Sequence, residues 1–280
     1  MNSSRKRELE LQAYRIRKTA LETIRTAGSG HIGGSFSVSD ILSVLYFDEM
    51  KLDVTRPDWE ERDRLVLSKG HCSPAMYSTL ALKGFFPVEH LKTFRKIDSD
   101  LSGHVERHVP GVDMSSGSLG QGLSVALGMA MYGKSKGLDY RAFCIMGDGE
   151  IQEGQVWEAA MAAGYYKADN LVAFVDNNKL QLDGSLEEVM SPYPIGEKFR
   201  AFGWNVLEID GSDVEQIHDA IEDAGAEKGR PTMIVADTVK GKGVSVFENQ
   251  VRFHGGQPTP KEWEIAMHEL DAKIAELEGR

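Results

Sequence analysis

The chain has 280 residues, 41% of them hydrophobic, which is enough for one large core. Its formal net charge of −11 argues against a nucleic-acid-binding surface, although a local basic pocket remains compatible with it. The two cysteines are far apart, and no segment has the apolar length of a signal-peptide core or a membrane span, so the composition predicts a cytoplasmic protein with reduced thiols.

The first half of the chain is predicted to be mostly helical. Apolar residues recur at intervals of three and four over residues 5–26, which predicts an amphipathic helix ended by Gly28 and Gly30. Further helices are predicted at 40–50, 75–85 and 119–137, with a short strand at 64–68. The small residues of the helix at 119–137 indicate tight packing against a neighbour.

Strands and helices alternate in the second half. Strands are predicted at 141–146, 170–176, 205–210 and 232–239, and helices at 152–166, 198–203, 213–227 and about 259–280. Continuous apolar strands that alternate with helices are typical of a parallel sheet covered on both faces. The sequence therefore predicts an α/β, doubly wound fold, as a single domain over residues 1–280 with a C-terminal helical tail.

A carboxylate stands between two glycines where the strand at 141–146 ends. Residues 147–149 read Gly-Asp-Gly, and Asn178 follows the next strand. A strand–helix–strand unit needs about 30 residues, so Asp148 and Asn178 are expected side by side at the carboxyl edge of the sheet. Each motif alone is also typical of a turn. Together, a carboxylate and an amide oxygen suit Mg²⁺ or Ca²⁺, and the glycines let a diphosphate approach the backbone, so the pair predicts a metal-bound diphosphate.

Four histidines lie in loops that contain glycine, namely His31, His71, His104 and His254. A single histidine in a loop is usually solvated or already hydrogen-bonded. Glycine neighbours at all four positions permit the close approach of a ligand, which favours a shared binding or catalytic site.

Three other groupings give weaker predictions. His104 and His108 have the spacing of a zinc-protease helix, but the glutamate of that motif is missing and Val-Pro-Gly follows. Lys240 and Lys242 resemble a phosphate loop only loosely, so solvated side chains and a role near a phosphate both remain open. Cys72 suggests a thiol nucleophile, but no third orienting group is evident, which favours packing.

The sequence resembles transketolases from about residue 10 to about residue 257. Gly-Asp-Gly followed by Asn-Asn after the next strand is the thiamine diphosphate motif, and the stretches LSKGHCSPAMYSTLALKGF and SGSLGQGLSVALGMA are similar to transketolase segments. The resemblance implies a thiamine diphosphate-binding fold, an Mg²⁺ ion that Ca²⁺ or Mn²⁺ can replace, and a place in the pentose phosphate pathway.

The resemblance also implies roles for individual residues. The metal ligands would be Asp148, the side chain of Asn178 and the backbone carbonyl of Leu180. The cofactor would be held by His71, Gly117, Leu119, Gly147, Asp148, Gly149 and Asn178. The substrate hydroxyls and the developing alkoxide would be bound by His31, His104 and His254. Glu153 would belong to a network of acidic side chains between paired active sites. Transketolase-like families often have proline where Ser118 stands, which is a departure in the loop of Gly117 and Leu119.

The resemblance covers only the diphosphate-binding half of a transketolase. No segment matches the pyrimidine domain, which carries the glutamate that protonates the cofactor. The chain is therefore expected to be the N-terminal subunit of a split transketolase, inactive without a C-terminal subunit, in a heterotetramer with two copies of each. It would transfer a two-carbon ketol unit from a ketose phosphate to an aldose phosphate.

Three alternatives to this assignment remain. The first is a transketolase-like subunit that acts on another sugar phosphate. The second is an enzyme similar to deoxyxylulose phosphate synthase, whose usual DVGHQ segment is absent. The third is a non-catalytic cofactor-binding or regulatory paralogue.

Overall fold

A computed structural model describes all 280 residues and contains one five-stranded parallel sheet. The strands are β1 (Arg64–Leu67), β2 (Ala142–Gly147), β3 (Leu171–Asn177), β4 (Asn205–Asp210) and β5 (Thr232–Asp237). Their order in the sheet is β1-β2-β3-β5-β4, and every neighbouring pair is parallel. Every residue of the central strand β3 is buried. The predicted doubly wound α/β fold is confirmed.

Ten helices connect and cover the strands. They are α1 (Ser3–Ala27), α2 (Ile32–Ser37), α3 (Ser39–Val44), α4 (Ser73–Lys83), α5 (Gly122–Lys136), α6 (Gly154–Tyr165), α7 (Leu186–Val189), α8 (Ile195–Ala201), α9 (Val214–Ala226) and α10 (Pro260–Glu278). None of them is both long and apolar enough to cross a membrane. The last helix, α10, begins with a capping box between Thr259 and Glu262, and it packs against α1.

The helices lie on both faces of the sheet because side chains alternate along each strand. Phe143 and Ile145 of β2 pack into a core with α1, α3, α4 and α9. Cys144 and Met146 point to the opposite face and pack with α5, α6 and α8. A third, smaller core joins α1, α2, α10 and the segment 244–253, and it supports the loop that carries His254.

The elements differ from the sequence prediction in several places, among them α7, which was not predicted, and the helix expected at 198–203, which is α8 (Ile195–Ala201). The helix expected at 40–50 is α3 followed by a π-helical turn, Leu45–Glu49. The helix expected at 119–137 begins only at Gly122, because Gly120 adopts a left-handed φ of 84°. Helix α2 was not predicted, since its two glycines have poor helix propensity, and its burial on all sides stabilises it instead.

Candidate functional site

A cavity of about 430 Å³ opens at the carboxyl ends of β1, β2 and β3. The loop after each of these strands lines it, and α2, Lys240 and His254 contribute from other directions. Nine of the residues predicted from the sequence line this cavity: His71, Leu119, Gly147, Asp148, Gly149, Glu153, Asn178, Leu180 and His254. The other three, His31, His104 and Gly117, are not among its lining residues. The carboxyl edge of a parallel sheet is where such folds bind ligands.

Asp148 is a buried carboxylate that has no positively charged hydrogen-bond partner. Its side chain accepts hydrogen bonds from the backbone N–H groups of Gly149 at 2.8 Å and Lys179 at 2.5 Å. Burial and the negative charge of Asp176 raise the pKa of Asp148 to about 7. A divalent cation beside Asp148 would supply the missing positive charge.

The other two predicted metal ligands follow β3 in the adjacent loop. The amide oxygen of Asn178 accepts from the backbone N–H of Leu180 at 3.2 Å, and the carbonyl of Leu180 accepts from the ammonium of Lys240 at 2.9 Å. Lys179, between them, has a left-handed φ of 69°, which turns this loop. The structure thus brings a carboxylate, an amide oxygen and a carbonyl oxygen to one cavity, a donor set that fits Mg²⁺.

The four loop histidines form one cluster. The ring centroid of His31 lies 5.0 Å from that of His71, 5.6 Å from that of His254 and 6.4 Å from that of His104. Gly117 is beside this cluster, because a Cβ on it would lie 3.6 Å from the His104 ring. His108 is a separate case, since its Nε2 lies 2.9 Å from the carbonyl oxygen of Asp100.

Three of the clustered histidines, His31, His71 and His254, are neutral near pH 7. Burial and the charge of Arg95 lower the pKa of His31 to about 4, and burial and the charge of Lys240 lower that of His254 to about 3. Burial and the charge of Lys69 hold the pKa of His71 well below its usual value. Neutral imidazoles can donate to and accept from hydroxyl groups without adding charge to the site.

Glu153 stands at the N-cap of α6, at the exposed side of the cavity. A Cβ on Gly120 would lie 2.6 Å from the Cβ of Glu153, so this close approach requires glycine at position 120. Gly149 is similarly close to its neighbours, since a Cβ there would lie 2.9 Å from the side-chain oxygen of Gln181. The loops around the cavity are therefore packed backbone against side chain.

Comparison with known proteins identifies the family. Residues 9–271 match the family model described as "Transketolase, thiamine diphosphate binding domain". The chain belongs to the transketolase family. This confirms the family that the sequence motifs indicated.

Several transketolase relatives match most of the chain. It is 47% identical to the 6-deoxy-6-sulfo-D-fructose transketolase subunit SqwG of Clostridium sp. (strain MSTE9), covering 96% of this chain and 98% of the relative. It is 44% identical to an apulose-4-phosphate transketolase subunit of Phocaeicola vulgatus, covering 96% of each. It is 42% identical to the transketolase of Rattus norvegicus, covering 89% of this chain but only 40% of the relative.

The solved structure of Campylobacter jejuni transketolase has the same fold. It superposes with a TM-score of 0.88 at 32% sequence identity, covering 96% of this chain and 45% of that chain. The chain therefore corresponds to a part of that longer transketolase, and to nearly the whole of the relatives named as subunits.

Lys240 lines the cavity, and the sequence left its role open. Its ammonium lies 3.0 Å from Nδ1 of His254. Burial and the charge of Lys69 lower the pKa of Lys240 to about 8. Lys242 points elsewhere, donating to Asp40 at 3.1 Å and to the carbonyl of Ser212 at 2.8 Å.

Cys72 lies in the hydrophobic core, where burial raises the pKa of its thiol to about 11. An ionised nucleophile is disfavoured in that environment. The packing role predicted for Cys72 is confirmed.

A buried ion pair at the cavity, one member of which lines it, was also not predicted from the sequence. Lys69 pairs with Asp176, and this carboxylate also accepts from the hydroxyls of Ser37 at 2.6 Å and of Thr238. Burial alone would raise the pKa of Asp176, but the Lys69 ammonium holds it below its usual value. The pair ties the loop after β1 to the end of β3.

Lys69→Met is expected to lower the free energy of unfolding by about 3–5 kcal/mol, because it leaves the buried Asp176 carboxylate without its cation. Urea unfolding followed by circular dichroism measures the loss. Lys179→Met is the matched control, since its ion pair with Asp237 is 55% and 59% exposed and should contribute at most about 1 kcal/mol. Equal losses in the two variants would contradict a structural role for the buried pair.

Proposed function

We propose that the chain is the N-terminal, diphosphate-binding subunit of a thiamine diphosphate- and Mg²⁺-dependent transketolase. With a separate C-terminal subunit it transfers a two-carbon ketol unit from a ketose phosphate to an aldose phosphate. The observation that carries this proposal is the uncompensated Asp148 carboxylate, which shares one cavity with Asn178, the Leu180 carbonyl and the basic Lys240 side chain. Oxygen donors and a basic group in one cavity suit a metal-bound diphosphate.

The residues would divide the cofactor between them. Mg²⁺ would be held by Asp148, Asn178 and Leu180. The diphosphate would be held by Gly147, Gly149, His71 and Lys240, and the aminopyrimidine would contact Gly117 and Leu119. When bound, thiamine diphosphate supplies the electron sink for carbon–carbon bond cleavage, while the protein supplies orientation and electrostatics. Glu153 would join an acidic network between paired sites.

The clustered histidines would bind the sugar. His31, His104 and His254 come from three different loops, and the His31 ring centroid lies 6.4 Å from that of His104 and 5.6 Å from that of His254. Neutral imidazoles at His31 and His254 can donate hydrogen bonds to substrate hydroxyls, and a donor aimed at a developing alkoxide stabilises its charge.

Alanine variants of His31, His104 and His254 are each expected to lower kcat/KM by about 10- to 1000-fold while most of the cofactor affinity remains, because each loses a contact made to the sugar. Steady-state kinetics of the assembled enzyme and titration calorimetry with thiamine diphosphate measure the two effects. His108→Ala is the control, since this histidine binds the Asp100 carbonyl outside the cluster. Wild-type kinetics in all three variants would refute the assignment.

The partner subunit would dock on an apolar surface formed by α5 and α6. This α5–α6 surface exposes Met131, Tyr132, Met161, Tyr165 and the adjoining Tyr166, with Tyr165 78% exposed. Exposed apolar patches of this kind mark protein interfaces, and obligate interfaces are more hydrophobic than transient ones. The two relatives named as transketolase subunits support a partner, and we propose a heterotetramer with two copies of each subunit.

The donor sugar has two candidates. One relative is named for 6-deoxy-6-sulfo-D-fructose and another for apulose 4-phosphate, so a sugar other than a common ketose phosphate is the second candidate. Because these relatives are named as transketolases, they give no support to a deoxyxylulose phosphate synthase or to a non-catalytic paralogue. Both cysteines are buried and free, which supports the proposed cytoplasmic location.

The decisive experiment assays the assembled enzyme with a panel of donors. Fructose 6-phosphate, 6-deoxy-6-sulfofructose and apulose 4-phosphate are compared by kcat/KM with a common aldose phosphate acceptor. Ketol transfer from any donor supports a transketolase, and the ranking of donors assigns its substrate. Binding of thiamine diphosphate without turnover of any donor would favour the non-catalytic alternative.

A further inference from the structure

Glu150 is a buried carboxylate that connects three loops of the site. It follows the Gly-Asp-Gly motif directly and is 3% exposed. Its Oε1 accepts from the hydroxyl of Ser68 and from the N–H of Gly120 at 2.8 Å, and its Oε2 accepts from the N–H of Gly147 at 3.0 Å. The Ser68 hydroxyl in turn accepts from the N–H of Gly122 at 3.1 Å.

The three loops belong to different parts of the proposed cofactor site. Ser68 follows β1 and precedes the loop of His71, and Gly147 precedes Asp148 at the end of β2. Gly120 follows Leu119, in the loop proposed for the aminopyrimidine. The packing is close, because a Cβ on Gly122 would lie 2.3 Å from that of Ser68. One side chain therefore joins the diphosphate end of the site to its aminopyrimidine end.

We infer that Glu150 is a positioning residue that fixes the distance between the two ends of the cofactor site. The inference rests on the proposed function. A long cofactor, anionic at one end and heteroaromatic at the other, gains affinity from both ends only where the two loops are held in register beforehand. Asp148 and the Gly117–Leu119 loop touch the ligand, and Glu150 acts through them.

A carboxylate is required because every partner of Glu150 is a donor. A glutamine would present its NH₂ group either to Gly147 or to Gly120 and Ser68, and one buried donor would then face another donor. Glu150→Gln should therefore release one loop and retain the other, whereas Glu150→Ala should release both.

Hydrogen exchange measured by mass spectrometry on the free, full-length chain tests the connection. In Glu150→Ala, protection at Gly120 and Gly147 is expected to fall at least tenfold relative to amides of β3. Asp63→Asn is the matched control, because Asp63 is also buried and accepts from two backbone N–H groups, those of Lys51 and Arg141, outside the cavity. Unchanged protection ratios in Glu150→Ala, or equal changes in Asp63→Asn, would overturn the inference.

Binding of two probes then separates positioning from general destabilisation. Titration calorimetry in the presence of the partner subunit and Mg²⁺ measures two ligands, pyrophosphate, which meets only the diphosphate end, and thiamine diphosphate, which meets both ends. Glu150→Ala is expected to weaken the affinity for thiamine diphosphate at least tenfold and that for pyrophosphate less than threefold. Asp63→Asn is expected to leave both affinities unchanged. Equal weakening of both probes would overturn the positioning role.

Two further outcomes remain decisive. If Glu150→Ala does not fold, Glu150→Gln is measured instead, with loss of protection expected at only one of the two loops. If the wild-type chain binds neither probe even with its partner subunit present, the proposed function is contradicted, and the exchange ratios then decide the role of Glu150 alone.

Discussion

Asp148→Ala is expected to abolish Mg²⁺-dependent retention of thiamine diphosphate without unfolding the chain. The variant loses the one anionic ligand of the proposed metal site, which should weaken binding by about 3 kcal/mol, or roughly 100-fold. Titration calorimetry in the presence of the partner subunit measures the loss. Asp183→Ala is the control, since Asp183 lines the same cavity but is not among the proposed metal ligands. Equal cofactor affinity in Asp148→Ala and wild type would refute the metal site.

Asp148 is also expected to make the stability of the metal-free chain depend on pH, and Asp148→Ala should remove that dependence. The pKa of Asp148 is raised in the folded state, from 3.8 to about 7, so the folded chain holds an extra proton between these values. The Asp148 contribution to stability is therefore greatest below pH 4 and is lost as the pH rises to about 7. Urea unfolding at a series of pH values should show this decline in wild type and its absence in Asp148→Ala. Identical pH profiles would contradict an ionisable, uncompensated carboxylate.

The purified chain alone is expected to show no ketol transfer, and addition of a chain with the pyrimidine and C-terminal domains should restore it. All the residues that we propose to hold Mg²⁺ and the diphosphate lie on this chain, and two relatives that it matches over nearly their whole length are named as transketolase subunits. The change is therefore from background to full turnover, larger than the effect of any single substitution. A coupled transketolase assay measures it, with mass spectrometry to detect contaminating partner.

Substitution on the proposed interface provides the control for that reconstitution. Tyr165→Glu places a charge on the exposed α5–α6 surface, where the free chain tolerates it, and should reduce restoration by the partner while leaving the fold intact. Robust turnover by the lone chain would show that the site is complete without a partner, and the split-subunit proposal would fall.

Part of the site could be predicted from the sequence because strand periodicity and spacing are local signals. The apolar strands β2 and β3 flank one helix, and parallel strands deliver their carboxyl ends to one edge, so the meeting of Asp148 and Asn178 followed from the chain alone. Glycine neighbours at His31 and His254 similarly favoured a shared site, and the two ring centroids lie 5.6 Å apart.

The remaining contacts could not be predicted because they join residues that are distant in sequence. Lys69 and Asp176 meet across β2, and the pair depends on the order of strands in the sheet. The acceptor role of Glu150 depends on how the loop of Gly120 folds back onto the end of β2. Helix α2 was missed for a related reason, since packing around it outweighs the poor helix propensity of its glycines.

The exposed aromatic and methionine side chains of α5 and α6 have a consequence for the cell that makes this protein. A copy synthesised in excess of its partner would expose this apolar surface, which can aggregate with other newly made chains. Chains of this kind are bound by chaperones or removed by proteases. Balanced synthesis of the two chains would avoid that waste. For the same reason, recombinant material should be recovered in better yield when both chains are produced together in one host.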